Sequence, residues 1–423
     1  MQAVFKELGD TVLKQWKRGN FSLAKFPEIA RAALDARPPA KKADLAGLMR
    51  DFLLNDEQPG QTDSPFGEPE LVVYSHPRFY IQLLFWMDGT TAIHQHEFSG
   101  AFHVMHGSSI HAHYEFERAR PVTPYIRVGN LRMKKMEILD AGRTVPIVSG
   151  QQDIHSLFHL DSPSATVVVR TQHDPGTGPQ LNYLPPHIAF DPHFSDTLMM
   201  RRKQLLDVLE QADDPGYAEL VKEIIADLDF ERGFSLLHHC IESLLHLDQW
   251  EPVLRIFEKK HGALATGVAA TLKEDVRRSV IKSLRSTNIE PEHRFFLALL
   301  MNAPTRDDLF ALVAKRFPKD SPVAVVLRWV EELMEISDTG ITILDASFPE
   351  TLEVEGEARP DLFLAAFRYF LKREKKLPPV MSDLTARDVS ELRAAFAESA
   401  LSLLTLKPIP TASASKVIRR RNV

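Results

Sequence analysis

The 423-residue chain is 44% hydrophobic and 26% charged, an ordinary globular composition long enough for two or three domains with sizeable cores. A formal charge of −6 argues against a general nucleic-acid binder, and the single cysteine, Cys240, excludes an internal disulfide framework and fits a reducing, cytoplasmic setting. The first residues lack the basic-then-apolar layout of a signal peptide, and no apolar run approaches the roughly 18 to 20 residues needed to span a bilayer, so neither nucleic acid nor membrane is an expected partner.

In chain order, residues 1–67 read as a helical arm and linker. Val4, Leu8, Val12 and Leu13 fall on one helical face, and Leu45, Leu48, Met49 and Leu53 repeat the spacing. The turn-rich stretch from Asn55 to Gly67 then breaks the helical period and places a boundary near residue 68. Over residues 68–190 strand follows strand: Leu71–Tyr74, Phe79–Met87, Thr91–His96, Ala101–Met105, Ile110–Phe116, Leu131–Leu139 and Ala165–Gln172. Turns are expected at Asp88-Gly89, Gly107-Ser108, Gly129-Asn130 and Asp174-Pro175-Gly176. Short strands without intervening helices predict a double-sheet barrel of the jelly-roll kind, whose interior forms a dry cup.

Residues 191–407 return to a helical period, with start signals at Asp214-Pro215, Thr305 to Asp308 and Ser321-Pro322, and about nine helices are expected. The stripes Phe234, Leu237, Ile241, Leu244 and Val323, Val326, Leu327, Val330 mark packed helices, and the absence of a fixed repeat favours an irregular bundle over a solenoid. Residues 408–423, with the basic run from Lys416 to Arg421, read as a flexible, solvated tail. The expected fold class is α+β: a β-barrel between a short N-terminal helical arm and a large all-helical C-terminal domain.

The chemistry concentrates in the strand region. His94 and His96 stand at i and i+2, which puts both imidazoles on one face of a strand, aimed at a common point. Further on, Gly142-Arg-Thr-Val-Pro146-Ile-Val-Ser-Gly150-Gln-Gln-Asp-Ile-His155 is a turn followed by a strand carrying one more histidine. Imidazole suits iron, zinc, nickel or copper, so ligand type alone names no metal.

The two stretches together resemble the two motifs of the cupin family, in which a Gly, a His-x-His, a Glu and a closing Gly are followed by a second motif ending in a third His. Here Gly89, His94, His96, Gly107 and His155 match, while Gly100 or Ala101 stands at the usual Glu position and His159 replaces an Asn. Three histidines without the carboxylate resemble the thiol dioxygenases, as does the apolar strand Tyr80 to Trp86 before the His pair. The resemblance covers about residues 70–185. It implies Fe(II), with Zn, Ni or Mn as alternatives, held by His94, His96 and His155, with dioxygen and a small thiol or amino-acid derivative as co-substrates. The family's cysteine–tyrosine cross-link has no counterpart, since Ala101 occupies the cysteine position, Arg170 lies near the tyrosine position, and Cys240 is far outside the motif.

Other residues are candidates for supporting roles. His103, two residues beyond Ala101, would share its face and serve as a fourth ligand or acid–base group, or else be a backbone-bonded core histidine. His159 returns to the face of His155 and could orient a ligand. Arg78 and Arg170 compete to bind a substrate carboxylate. His111 and His113 form a second His-x-His that matches no ligand position, Glu97 should point away from His96, and His238-His239-Cys240 reads as helical core or surface. Two other readings stand beside the oxygenase: a ligand-binding or scaffolding barrel whose helical domain recruits a partner protein, and an oxygen-independent metal-dependent isomerase or lyase. A homodimer is a further state the resemblance allows for.

Overall fold

Helix α1 (Gln2–Arg18) buries Phe5, Leu8, Val12 and Trp16, a stripe at helical spacing, with Val4 and Leu13 half-buried beside it. α2 (Phe26–Ala36) adds Phe26, Ala30, Ala33 and Leu34, and the Trp16 and Phe26 rings meet at a centroid distance of 4.4 Å with Phe79 against both. α3 (Pro39–Lys42) and α4 (Leu45–Leu54) complete the arm. Of the apolar α4 positions expected to pack, only Leu48 is fully buried, and Leu53 is 81% exposed. This computed structural model describes residues 2–42, 44–63, 66–88, 92–336, 338–349, 352 and 358–405. Gly89 of the first motif and the expected tail at 408–423 lie outside them.

Among the described residues eleven strands follow the arm: β1 (Glu70–His76), β2 (Phe79–Trp86), β3 (Ile93–His94), β4 (Gly100–His106), β5 (Ser108–Pro121), β6 (Ile126–Asp140), β7 (Thr144–Ile147), β8 (Ile154–His159), β9 (Ser164–Thr171), β10 (Asn182–Leu184) and β11 (Ile188–Phe190). They form the expected double-sheet barrel. One sheet has the order β1-β2-β9-β4-β7, and the other closes on itself in the order β10-β11-β6-β5-β8-β3. The period-2 alternation splits the first sheet into two faces. Phe79, Ile81, Leu83 and Phe85 of β2, with Ala101 and Met105 of β4, join the core of the N-terminal helices. Leu84, Trp86, Phe102, Val104 and Val168 face the barrel interior, where they meet Leu157 of β8. At Gly9 α1 lies against this sheet so closely that a Cβ would run into the Tyr74 ring of β1.

Two local readings differ from expectation. Gly129-Asn130 is not a turn but lies inside β6, opposite a register shift between Glu117 and Arg120 where Arg118 has a φ of 52°. A β-bulge there draws the same glycine-asparagine signal as a turn. On β4 it is Phe102, not Ala101, that faces the cup, so His103 is directed with Ala101 toward the N-terminal helices. It is fully buried there, its Nδ1 2.9 Å from Thr144 Oγ1.

The chain divides into two compact units, Met1–Val276 and Arg277–Val423, so residue 190 lies inside the first. In that unit α5 (Thr197–Gln211), α6 (Tyr217–Asp227), α7 (Phe230–His246) and α8 (Trp250–His261) share a core with Ile126 and Ile188 of the barrel, and Phe234, Leu237, Ile241 and Leu244 are all buried in it. α9 (Val268–Thr287) begins in the same unit. In the second unit α10 (Pro291–Asn302), α11 (Arg306–Arg316) and α12 (Pro322–Ile336) surround Trp329, whose ring touches Phe295, Phe296 and Phe317. Thr305 caps α11 by accepting from the Asp308 N–H at 3.2 Å, and α12 starts at Pro322, as the start signals require. α13 (Asp338–Ala346), α14 (Ala358–Lys372), α15 (Ala386–Glu398) and the short α16 (Ser402–Thr405) follow, three more described helices beyond residue 191 than the nine expected. No described helix is long and apolar enough to cross a membrane.

Burial depresses the His103 pKa to about 4 against an ordinary value near 6.5. Between these values the unfolded chain takes up a proton that the folded chain refuses, so His103 lowers stability as pH falls from about 6.5 toward 4. Replacing His103 with Gln is expected to flatten that part of the stability-versus-pH curve, read as melting temperature against pH. An unchanged slope would show that His103 is not held neutral.

Candidate metal centre

β3 and β8 pair with His94 opposite His155, and the chain leaving β3 carries His96 to the same point two residues later. Ring nitrogens of His94, His96 and His155 all lie within 4.8 Å of one another, and all three side chains are buried. Each ring has a nitrogen suited to coordination. His94 Nδ1 donates to the Ala92 carbonyl at 2.7 Å, which leaves its Nε2 as a lone-pair donor, buried and without a hydrogen-bond partner. His96 Nε2 and His155 Nε2 are 2.9 Å apart. Two nitrogens about 2.1 Å from one ion, at right angles, would stand roughly 3.0 Å apart, so this spacing fits neighbouring ligands of a single metal.

The electrostatics keep these rings neutral. Burial pushes the His155 pKa down to about 3, with His94 adding to the effect, and holds His96 well below its ordinary value, aided by His94 and His155. Burial also lowers His94, against the opposing hydrogen bond to Ala92. Neutral imidazole is the ligating form, so the cluster is prepared for a cation without having to shed protons near neutral pH.

A second layer lies behind His155. His111 Nε2 sits 3.1 Å from His155 Nδ1, and His113, whose ring centroid is 4.3 Å from that of His111, contacts Asp153 at 3.2 Å. Burial opposes ionisation of Asp153, but the His113 hydrogen bond, His155 and the Val148 N–H together hold its carboxyl below the usual range. With Nε2 of His155 given to a metal, its Nδ1–H donates to His111, which fixes the ring's tautomer and orientation. Sequence reasoning missed His111 because its role depends on the β5–β8 register, which sets His113 opposite His155. The usable signal was the second His-x-His itself.

At Gly100, one of the two positions where the motif resemblance would place a carboxylate, the packing leaves no room for a side chain. A Cβ on Gly100 would collide with the Val169 carbonyl oxygen and stand 3.0 Å from Arg170 Cα, both backbone groups of the paired strand β9. Ala101 faces the N-terminal helices. Glu97 is turned to His173 at 3.4 Å, the outward orientation expected of it. Among the described residues no carboxylate joins the cluster.

The remaining candidates are placed apart from it. His159 shares the inner face of β8 with His155, as the even spacing requires, but its ring stacks on Trp86 at 4.7 Å and its Nδ1 engages Ser164 at 2.7 Å and Ser109 at 3.2 Å. Arg170 lies 3.4 Å over the Phe98 ring, which packs in turn on His96, and its guanidinium donates to the Thr171 and Gln172 carbonyls. Arg78 is exposed at the β1–β2 turn and stacks on Phe21. His103 faces the helical arm. His238 and His239 contact Asp275 and Asp207 separately, and Cys240 is buried in the helical core with its thiol pushed up to about 11 by burial, so these three form no cluster.

Over the cluster lies a cavity of about 40 Å³, walled by Leu84, Trp86, Phe98, Phe102, Leu157 and Val168. Its described lining carries only two polar side chains besides the histidines, Gln82 and Thr166.

No family model matches the sequence, and no curated protein matches it. Similar solved structures include hydroquinone 1,2-dioxygenase from Sphingomonas sp. TTNP3, 13% identical over 26% of this chain and 68% of that one, with a TM-score of 0.20. A protein with a double-stranded β-helix domain from Klebsiella pneumoniae is 17% identical over 29% of this chain and 87% of that one, with a TM-score of 0.18. DMSP lyase DddQ from Ruegeria pomeroyi DSS-3 is 12% identical over 44% of this chain and 98% of that one, with a TM-score of 0.23.

Two substitutions test that geometry. Gly100→Ala should destabilise the barrel by about 1–3 kcal/mol, because the colliding atoms are backbone and cannot swing aside; a melting temperature equal to wild type would contradict it. His111→Leu should keep the fold, judged by circular dichroism, yet weaken metal binding about 10- to 100-fold in a chelator competition, since His155 loses the partner that orients it. Unaltered metal affinity would remove His111 from the site.

Proposed function

We propose that His94, His96 and His155 hold one divalent metal, with Fe(II) the favoured ion, and that the barrel is a metal-dependent oxygenase acting on a small substrate. The observation that carries the metal reading is the convergence of three buried, neutral imidazoles in an apolar cup without a carboxylate, while the choice of Fe(II) follows the resemblance of the motifs to the thiol dioxygenases. Three neutral ligands leave the ion's double charge uncompensated, and in a low-dielectric cup such a charge strongly favours an anionic donor atom, for which a thiolate is the first class to test. When bound, the metal would supply that charge together with redox capacity toward dioxygen.

The chain's own residues provide the surroundings. Leu84, Trp86, Phe98, Phe102 and Val168 wall the space above the cluster with apolar surface. His111 Nε2 accepts a hydrogen bond from the Nδ1–H tautomer of His155 and so keeps the Nε2 of His155 available. The described lining offers no lysine, tyrosine or carboxylate to carry a proton, which favours oxidation over the acid–base chemistry of a lyase or isomerase.

Protein purified without oxygen should contain close to one iron per chain, and His155→Ala should lose at least nine-tenths of it by elemental analysis. Oxygen consumption on adding small thiols should disappear with it. Metal-free protein in both cases would favour a ligand-binding or scaffolding barrel, and metal-dependent turnover without oxygen a lyase or isomerase.

A further inference from the structure

β2 is buried along its whole length, and seven of its eight residues are aromatic or aliphatic; the exception is Gln82. The alternation that sends Leu84 and Trp86 into the barrel sends Gln82 there as well, and its side chain lines the cavity above the three histidines. It is 1% exposed, and its Oε1 has no hydrogen-bond partner. A buried amide left unpaired costs stability, and an apolar residue of the same size would fill this position without that cost. The second polar lining group, Thr166, is already engaged, its Oγ1 3.4 Å from the Trp86 indole nitrogen. One amide thus remains directed into an otherwise apolar cup.

The charge of the lining narrows what that amide can meet. No charged residue is among the described cavity walls. The two arginines that could neutralise a substrate carboxylate are both committed elsewhere, Arg170 over Phe98 and Arg78 over Phe21. A carboxylate at the end away from the metal would be desolvated beside Gln82 with no cationic side chain among the described walls to meet it, whereas a hydroxyl or amide N–H would satisfy the Gln82 oxygen.

We propose that Gln82 is a specificity-determining residue, selecting a small substrate whose thiolate end coordinates the metal and whose uncharged far end presents a single hydrogen-bond donor to the Gln82 amide. This rests on the metal reading above and narrows it: thiols bearing a hydroxyl or amide are favoured, and those bearing a free carboxylate at the far end are disfavoured.

The test compares three thiols of similar length, 2-mercaptoethanol, 1-propanethiol and 3-mercaptopropionate, binding to Co(II)-loaded protein, followed by the change in cobalt absorption. Wild type should bind 2-mercaptoethanol a few-fold to about tenfold more tightly than 1-propanethiol, and 3-mercaptopropionate most weakly. Gln82→Leu should erase the preference for the hydroxyl while leaving cobalt uptake and 1-propanethiol binding intact, and the metal-free variant should melt no lower than wild type. Gln82→Met provides the same readout should the leucine variant fail to fold. Equal affinities for the first two thiols in wild type, or an equal effect of the substitution on both, would overturn the assignment of Gln82. Failure of wild type to take up cobalt would instead overturn the metal reading on which it rests.

Discussion

Three imidazoles cannot share a dry cavity as cations. Desolvation holds His94, His96 and His155 neutral, reinforced at His96 and His155 by neighbouring histidines, and the arrangement around them follows from that constraint. The Nε2 atoms of His96 and His155, 2.9 Å apart, are close enough to share one proton in a hydrogen bond, and a divalent cation in place of that proton would take both lone pairs. The backbone carbonyl of Ala92 and the ring of His111 take the protons on the far nitrogens of His94 and His155, so that the near ones face the cup. What would look like a cluster of destabilising polar atoms in an apolar interior becomes consistent once an ion is supplied.

The barrel provides this geometry through two regularities of β structure. Alternation along each strand sorts side chains between the cup and the outer layers, and antiparallel pairing fixes which residue of one strand faces which of the next. Close packing imposes the rest: the backbone of β9 passes so near Gly100 that this position has no room for a side chain.

The parts of this legible in sequence were those encoded by local spacing. The i, i+2 pair of His94 and His96 needs only strand geometry, and the Gly-Pro-Gly-His pattern before His155 needs only turn chemistry. The helix starts at Thr305 and Pro322 were equally local. What escaped depended on phase or register. A one-residue difference in which β4 side chain faces inward moves His103 from the cup to the helical arm. His111 gains its place only through the pairing of β5 with β8. The turn expected at Gly129-Asn130 lies inside a long strand, opposite a β-bulge near Arg118. Gln82 was visible as a lone amide in an apolar strand, but its meaning required knowing that its face looks onto the histidines.

The most direct measurement is a crystal structure of protein loaded with Fe(II) in the absence of oxygen, with anomalous diffraction recorded at the iron edge. A single anomalous peak bonded to His94, His96 and His155, with no carboxylate ligand, is the expected result. A peak coordinated by other residues, or no peak at these three histidines in protein that carries iron, would contradict the assignment of the barrel as a three-histidine metal centre.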